Sequence, residues 1–254
     1  MDKIKPIDII KFAFELFYKN TLFIVTAILL LLTCSLLFSS IQNAMFQANS
    51  VQWVVFSITS QLFTMGLSLG FVNIVIELYF GKTVSLSHLF NKFDVVFSYL
   101  FASTIFAVSI CIAMLPGLLI LITSMDVSEF LKLNINDLLN PQLNHMDLNP
   151  ISFNNRSALG IFIMFCGFFY TYIRLQFYQQ AILYKNYRPL QSIISSATIT
   201  KNNVFQLSTI LLIIISINIV GALLVFGLLF TIPISMIVMI VAYFKLLNVD
   251  SAIN

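Results

Sequence analysis

The sequence predicts an all-α polytopic membrane protein, six transmembrane helices with three amphipathic interfacial helices on the cytoplasmic side. Three observations predict it. Of 254 residues, 59% are hydrophobic and only 9% charged, and the stretches 20–76, 95–125, 157–173, 175–184 and 202–244 are almost free of ionisable side chains. Runs such as Leu22–Leu32 and Leu207–Ile219 are apolar on every face, whereas the strands of a membrane barrel alternate polar and apolar positions. Backbone groups inside lipid have no water to bond, so only helices remain. Finally, the cations gather at the ends of these runs and mostly on one side of them.

A bilayer core needs roughly 20 apolar residues per helical span, which places spans at about 22–41, 54–80, 95–124, 158–184, 204–224 and 228–247 within a single domain covering 1–254. The last two are separated only by Gly221, Gly227 and Pro233. One unbroken pass is excluded there, since ~44 residues at ~1.5 Å each would reach ~66 Å. Two spans with a tight hairpin fit best, and a hairpin that does not cross fully is the alternative. Orientation follows from the basic residues, because cytoplasmic loops carry the Lys/Arg excess. Ten of the 13 cations fall on one side: Lys3, Lys5, Lys11, Lys19, Lys82, Lys92, Lys185, Arg188, Lys201 and Lys245. Lys132 and Arg156 fall on the other, and Arg174 lies within a span. Both termini are therefore expected in the cytosol.

Three segments on the cationic side share a plan. Lys5-Pro6 opens a helix with a polar stripe of Asp8, Lys11, Glu15 and Lys19 and an apolar face of Ile7, Ile10, Phe14 and Phe17. Proline suits a first helical turn, where its missing N–H is not needed. Arg188-Pro189 repeats the opening, with Leu190, Ile193, Ile194 and Ala197 expected on the apolar face and Gln191, Ser192, Ser195 and Ser196 opposite. The spacing from Pro6 to Asn20 equals that from Pro189 to Asn203. The central copy begins at Lys82-Thr83-Val84-Ser85, with Leu86, Leu89, Phe90 and Phe93 apolar. Each copy precedes a pair of spans, giving three parallel repeats. Between spans three and four, residues 125–157 form an outer loop. Asp126 and Glu129 read there as a capping box before an amphipathic stripe that Pro141 ends, a partial lid or a plain connector.

An ionisable side chain inside a span is a functional candidate, because its burial in lipid costs energy unless it is paired. Arg174 and Glu77 qualify. Both belong to the cytoplasmic half, so an ion pair between spans two and four is one expectation. A headgroup contact for Glu77, and helix adhesion or headgroup binding for Arg174, are the others. Gln176, Tyr178 and Gln180 make that half of span four polar and mark a protein interior or a wet groove. Gly66 and Gly70 have the small-xxx-small spacing of close helix packing. Pro116 and Gly117 read as a break in span three. His88 and His145 read as solvated, and Cys34, Cys111 and Cys166 as small buried side chains. With no cysteine or histidine framework at ligand spacing, neither metal nor cofactor is expected. The net charge of +3 belongs to helix ends and offers nothing to nucleic acid. No nucleophile–base set or Gly-rich phosphate loop is present, so the chain is expected not to be an enzyme.

The run from Gly81 to Leu247 resembles a large bacterial family of uncharacterised six-span inner-membrane proteins, which includes the YciC-like proteins and the membrane domain of some glycerophosphodiester phosphodiesterases. Its carriers are Gly81-Lys82-x-Val84-Ser85-Leu86-x-x-Leu89-Phe90, Leu115-Pro116-Gly117, Tyr172-x-Arg174, Pro189-Leu190-Gln191-Ser192-Ile193 and Thr200-Lys201-Asn202-Asn203. The chain departs from the family by an insertion of roughly 33 residues after Pro116-Gly117. The resemblance implies a bacterial inner membrane and a loose link to lipid or envelope maintenance. A lipid-associated, envelope-organising protein with anionic headgroups as partners is thus the leading expectation. A transporter or permease built on the three repeats is the alternative.

Overall fold

The computed structural model describes residues 5–47, 50–124, 155–224 and 227–249. Over these the chain is helical, with no strand among the described residues. The helices are α1 (Pro6–Lys19), α2 (Thr21–Met45), α3 (Val51–Tyr79), α4 (Val96–Ser124), α5 (Asn155–Leu175), α6 (Tyr178–Lys185), α7 (Pro189–Thr200), α8 (Val204–Leu223) and α9 (Leu228–Leu246). Two short 3-10 turns, Leu86–Phe90 and Phe93–Val95, join α3 to α4. Six helical stretches are long and apolar enough to cross a membrane: α2, α3, the 3-10 turns with α4, α5 with α6, α8 and α9. This is an all-α, multi-pass membrane protein. The outer segment expected to hold a lid helix, 125–154, lies outside the described residues.

The repeat is written into the backbone. The residue at each of three junctions adopts one conformation: φ −122°, ψ 20° at Asn20, φ −121°, ψ 23° at Lys92, and φ −124°, ψ 21° at Asn203. Burial follows one register from first copy to last. Ile9, Ala13, Phe17, Ile24 and Ala27 are buried, and so are their counterparts Ser192, Ser196, Thr200, Leu207 and Ile210. Ile7, Leu22 and Leu29 are exposed, as are Leu190, Phe205 and Leu212. The central copy is shorter: the amphipathic helix expected after Lys82 is built as the two 3-10 turns, with Leu89 buried. The cause lies in α3, whose glycines give that segment a seat.

The chain divides into two compact units, Met1–Ile105 with Ile173–Asn254, and Phe106–Tyr172. In the first, each lead-in element packs on the returning span of the preceding pair: the turns on α3, α7 on α6, and α1 on α9. The last contact closes a ring. The ends of the returning helices meet in an aromatic cluster, where Tyr79 stacks on Phe244 at 4.6 Å, Phe80 stacks on Tyr184 at 5.6 Å, and Tyr184 meets Phe244 edge-on at 4.9 Å. Phe12 of α1 joins at Tyr79, 5.7 Å away. The tail seals the cluster, for the Tyr79 hydroxyl donates to the Val249 carbonyl at 2.9 Å.

In the second unit Pro116 does not break the helix, and α4 runs through it to Ser124. Lipid supplies no water to take up freed backbone groups, so losing one helical bond costs less than ending the helix. Gly117 serves close packing: a Cβ there would strike the Gly160 carbonyl and Met164. Cys111 and Cys166, expected inside, lie on exposed faces. Among apolar residues in lipid, a thiol has no reason to turn inward.

Candidate functional site

The chain read as span four is built as two helices. α5 ends at Leu175, α6 begins at Tyr178, and Gln176 and Phe177 form the break between them. A helix broken in an apolar setting must find new partners for the backbone groups it frees. α7 provides them. Ser196 donates its hydroxyl to the Arg174 carbonyl at 3.0 Å and accepts the Phe177 N–H at 3.1 Å. Thr200 donates to the same Arg174 carbonyl at 3.1 Å. The Arg174 guanidinium closes the arrangement, its Nη2 donating to the Ala197 carbonyl at 2.6 Å.

This geometry turns the face expected of α7 rather than keeping it whole: Ile193 is buried and Gln191 exposed as expected, but Leu190, Ser192, Ile194 and Ser196 change sides. Ser192, Ser196 and Thr200, one turn apart, point inward and are fully buried, whereas Leu190 and Ile194 are 60% and 58% exposed. The polar groups are needed inside, at the break, and the medium outside is apolar. On α1 the outcome is different. Its inward face is Ile9, Ala13, Leu16 and Phe17, while Ile7, Phe14 and Tyr18 of its apolar residues point outward. The polar stripe of Asp8, Lys11, Glu15 and Lys19 is where the sequence placed it, and all four are exposed.

Arg174, Gln176 and Gln180 are brought to the break, the two glutamines at 8% and 6% exposure. Asn203 extends the inward face of α7 past Thr200 and is 5% exposed. The side-chain oxygens of Gln176, Gln180 and Asn203 are buried with no hydrogen-bond partner among the described residues. Tyr178 faces elsewhere, with its ring stacked on Tyr99 at 5.6 Å.

Glu77 and Arg174 are not paired. The Glu77 carboxylate accepts from Asn73 Nδ2 at 3.0 Å and meets His88 Nδ1 at 2.7 Å. His88 is thus half-buried and engaged rather than solvated. Gly66 and Gly70 receive not another span but the turn segment: a Cβ on Gly70 would fall on the Leu89 backbone, and one on Gly66 on the Phe93 ring. Gly66, Gly70, Asn73 and Glu77 thus form one stripe of α3 that holds residues 88–93. The stripe was visible as a spacing. That His88 would complete it required knowing that the chain folds back at Gly81, which has φ 67°.

Among the described residues no group of three His, Cys, Asp or Glu side chains is placed to hold a metal ion. No protein-family model, no curated protein and no solved structure matches this chain.

Proposed function

We propose that this is a lipid-associated, envelope-organising protein of a bacterial cytoplasmic membrane, without enzymatic activity, that holds an anionic headgroup at Arg174. One observation carries the reading. Thr200 and Ala197 bond Arg174, so the arginine lies level with the junction formed by Lys201, Asn202 and Asn203. Beyond that junction α8 has 20 residues, about 30 Å of helix and one hydrocarbon core. Arg174 then sits at the boundary, with α6 and α7 on the headgroup side and the exposed Leu190 and Ile194 turned to lipid, as in an interfacial helix. A half-buried guanidinium at that depth suits phosphate, which it binds bidentately. The positive-side pattern puts this boundary and both termini on the cytosolic side. The resemblance to inner-membrane proteins of the YciC-like family points the same way.

A transporter reading would draw on the broken helix. Here the Arg174 carbonyl and the Phe177 N–H at the break are already bonded by side chains of α7, and the ends of the returning helices are filled with aromatic rings. Both features count against an ion path.

Native mass spectrometry of the purified protein tests the proposal. Wild type is expected to retain phosphatidylglycerol over phosphatidylcholine. Arg174→Gln keeps a donor for the Ala197 carbonyl but removes the charge, and is expected to lose that preference about tenfold. Equal retention by both proteins would overturn the reading.

A further inference from the structure

The first and last lead-in helices have one backbone plan and different inner faces. Where α1 seats Ile9, Ala13 and Phe17, α7 seats Ser192, Ser196 and Thr200. The ring therefore closes with an apolar face, and hydroxyls are not required for it. The junction asparagines differ as well. Asn20 is part-exposed and donates its Nδ2 to the Leu16 carbonyl at 3.0 Å, whereas Asn203 is buried, its Oδ1 without a partner among the described residues. Ser196 and Thr200 are accounted for by the break. The oxygens of Gln176, Gln180 and Asn203 are not, and buried polar groups are ordinarily bonded. Gln176 lies in the break beside Arg174, Gln180 one turn further on in α6, and Asn203 at the junction that follows Thr200, itself bonded to the Arg174 carbonyl.

Resting on the headgroup reading above, we propose that the break selects lipids whose headgroup carries hydroxyls beyond the phosphate, the phosphoglycerol class. The phosphate lies on Arg174 and the hydroxyls on the carboxamides of Gln176, Gln180 and Asn203. Partnerless oxygens call for a donor. Hydroxyl and ammonium both donate, but an ammonium beside the Arg174 guanidinium is repelled. A hydroxyl is neutral, and it both donates and accepts, so it satisfies a carboxamide in either orientation. A bare phosphate monoester is mostly doubly ionised at neutral pH, so it offers few donors to these oxygens.

The test compares phosphatidylglycerol and phosphatidic acid with matched chains, competing for the full-length protein in mixed nanodiscs, with phosphatidylcholine as the neutral reference. Wild type is expected to retain phosphatidylglycerol about tenfold over phosphatidic acid, the scale of one buried group left unpaired. Gln176→Leu with Gln180→Leu should bring the two to the same level without lowering phosphatidic acid. Asn203→Leu and the single Gln180→Met, which leave the break residues in place, should move the ratio the same way should the double variant not fold. Equal retention of the two anionic lipids by wild type overturns the selection, and the headgroup reading survives if both still exceed phosphatidylcholine and fall with Arg174→Gln. A preference that persists in the folded carboxamide variants also overturns it, leaving the oxygens to water. Failure of both anionic lipids to exceed phosphatidylcholine removes both readings.

Discussion

At Gly70 the backbone of residue 89 lies where any other residue would carry its Cβ. A methyl group there has nothing flexible to displace, so Gly70→Ala is expected to cost about 2 kcal/mol, within the range for overpacking. At Gly66 the obstacle is the Phe93 ring, a side chain that can swing away, and Gly66→Ala should cost clearly less. Chemical unfolding in micelles measures both, and equal losses would mean the turn segment is not seated as described. The small-xxx-small spacing of these glycines was legible in the sequence. What they receive was not, because small residues mark a close approach without naming the partner. Glu77 shows the same limit: a carboxylate near lipid needs a partner, and the sequence suggested Arg174 or a headgroup where the structure has His88.

For helical elements, periodicity located α1 and α7 and placed the polar stripe of α1, but it missed the hydroxyl face that α7 turns inward. Amphipathic reasoning assumes that polar side chains seek water. α7 turns its hydroxyls inward because α5 ends early and leaves the Arg174 carbonyl and the Phe177 N–H to be bonded. The repeat at Ser192, Ser196 and Thr200 was the available signal, though its meaning depends on a break that no glycine or proline marks. Ser196→Ala removes one acceptor and one donor from that break. It is expected to cost about 1–3 kcal/mol, as for buried groups left unmet, and to speed hydrogen exchange of the Phe177 amide. Ser195→Ala is the control. Unchanged exchange in the Ser196 variant would show that the break is held by other means.

For the whole molecule, helical class and number of spans could be read directly, since a charge-free run of this length has few other uses. Register between the repeats was partly readable from the matched Pro-to-Asn spacings, and the junction dihedrals agree with it. The closed ring was not readable, for nothing in the sequence links α1 to α9. The threading predicts that reporter fusions after Asn91 and Lys201 report the cytosol and those after Gln47 and Asn140 the opposite compartment. A shared compartment for Asn91 and Asn140 would undo both the orientation and the headgroup site.

Because α1 seats on α9, the ring also sets an order of manufacture. α1 finds its main seat only when α9, made much later, has emerged, and until then the face that carries Ile9, Ala13, Leu16 and Phe17 is only partly covered. A chain cut short before Leu228 keeps that face partly open, so an unfinished copy differs from a finished one at α1. Membrane proteases therefore have a mark of incompleteness to act on, far in sequence from the missing end.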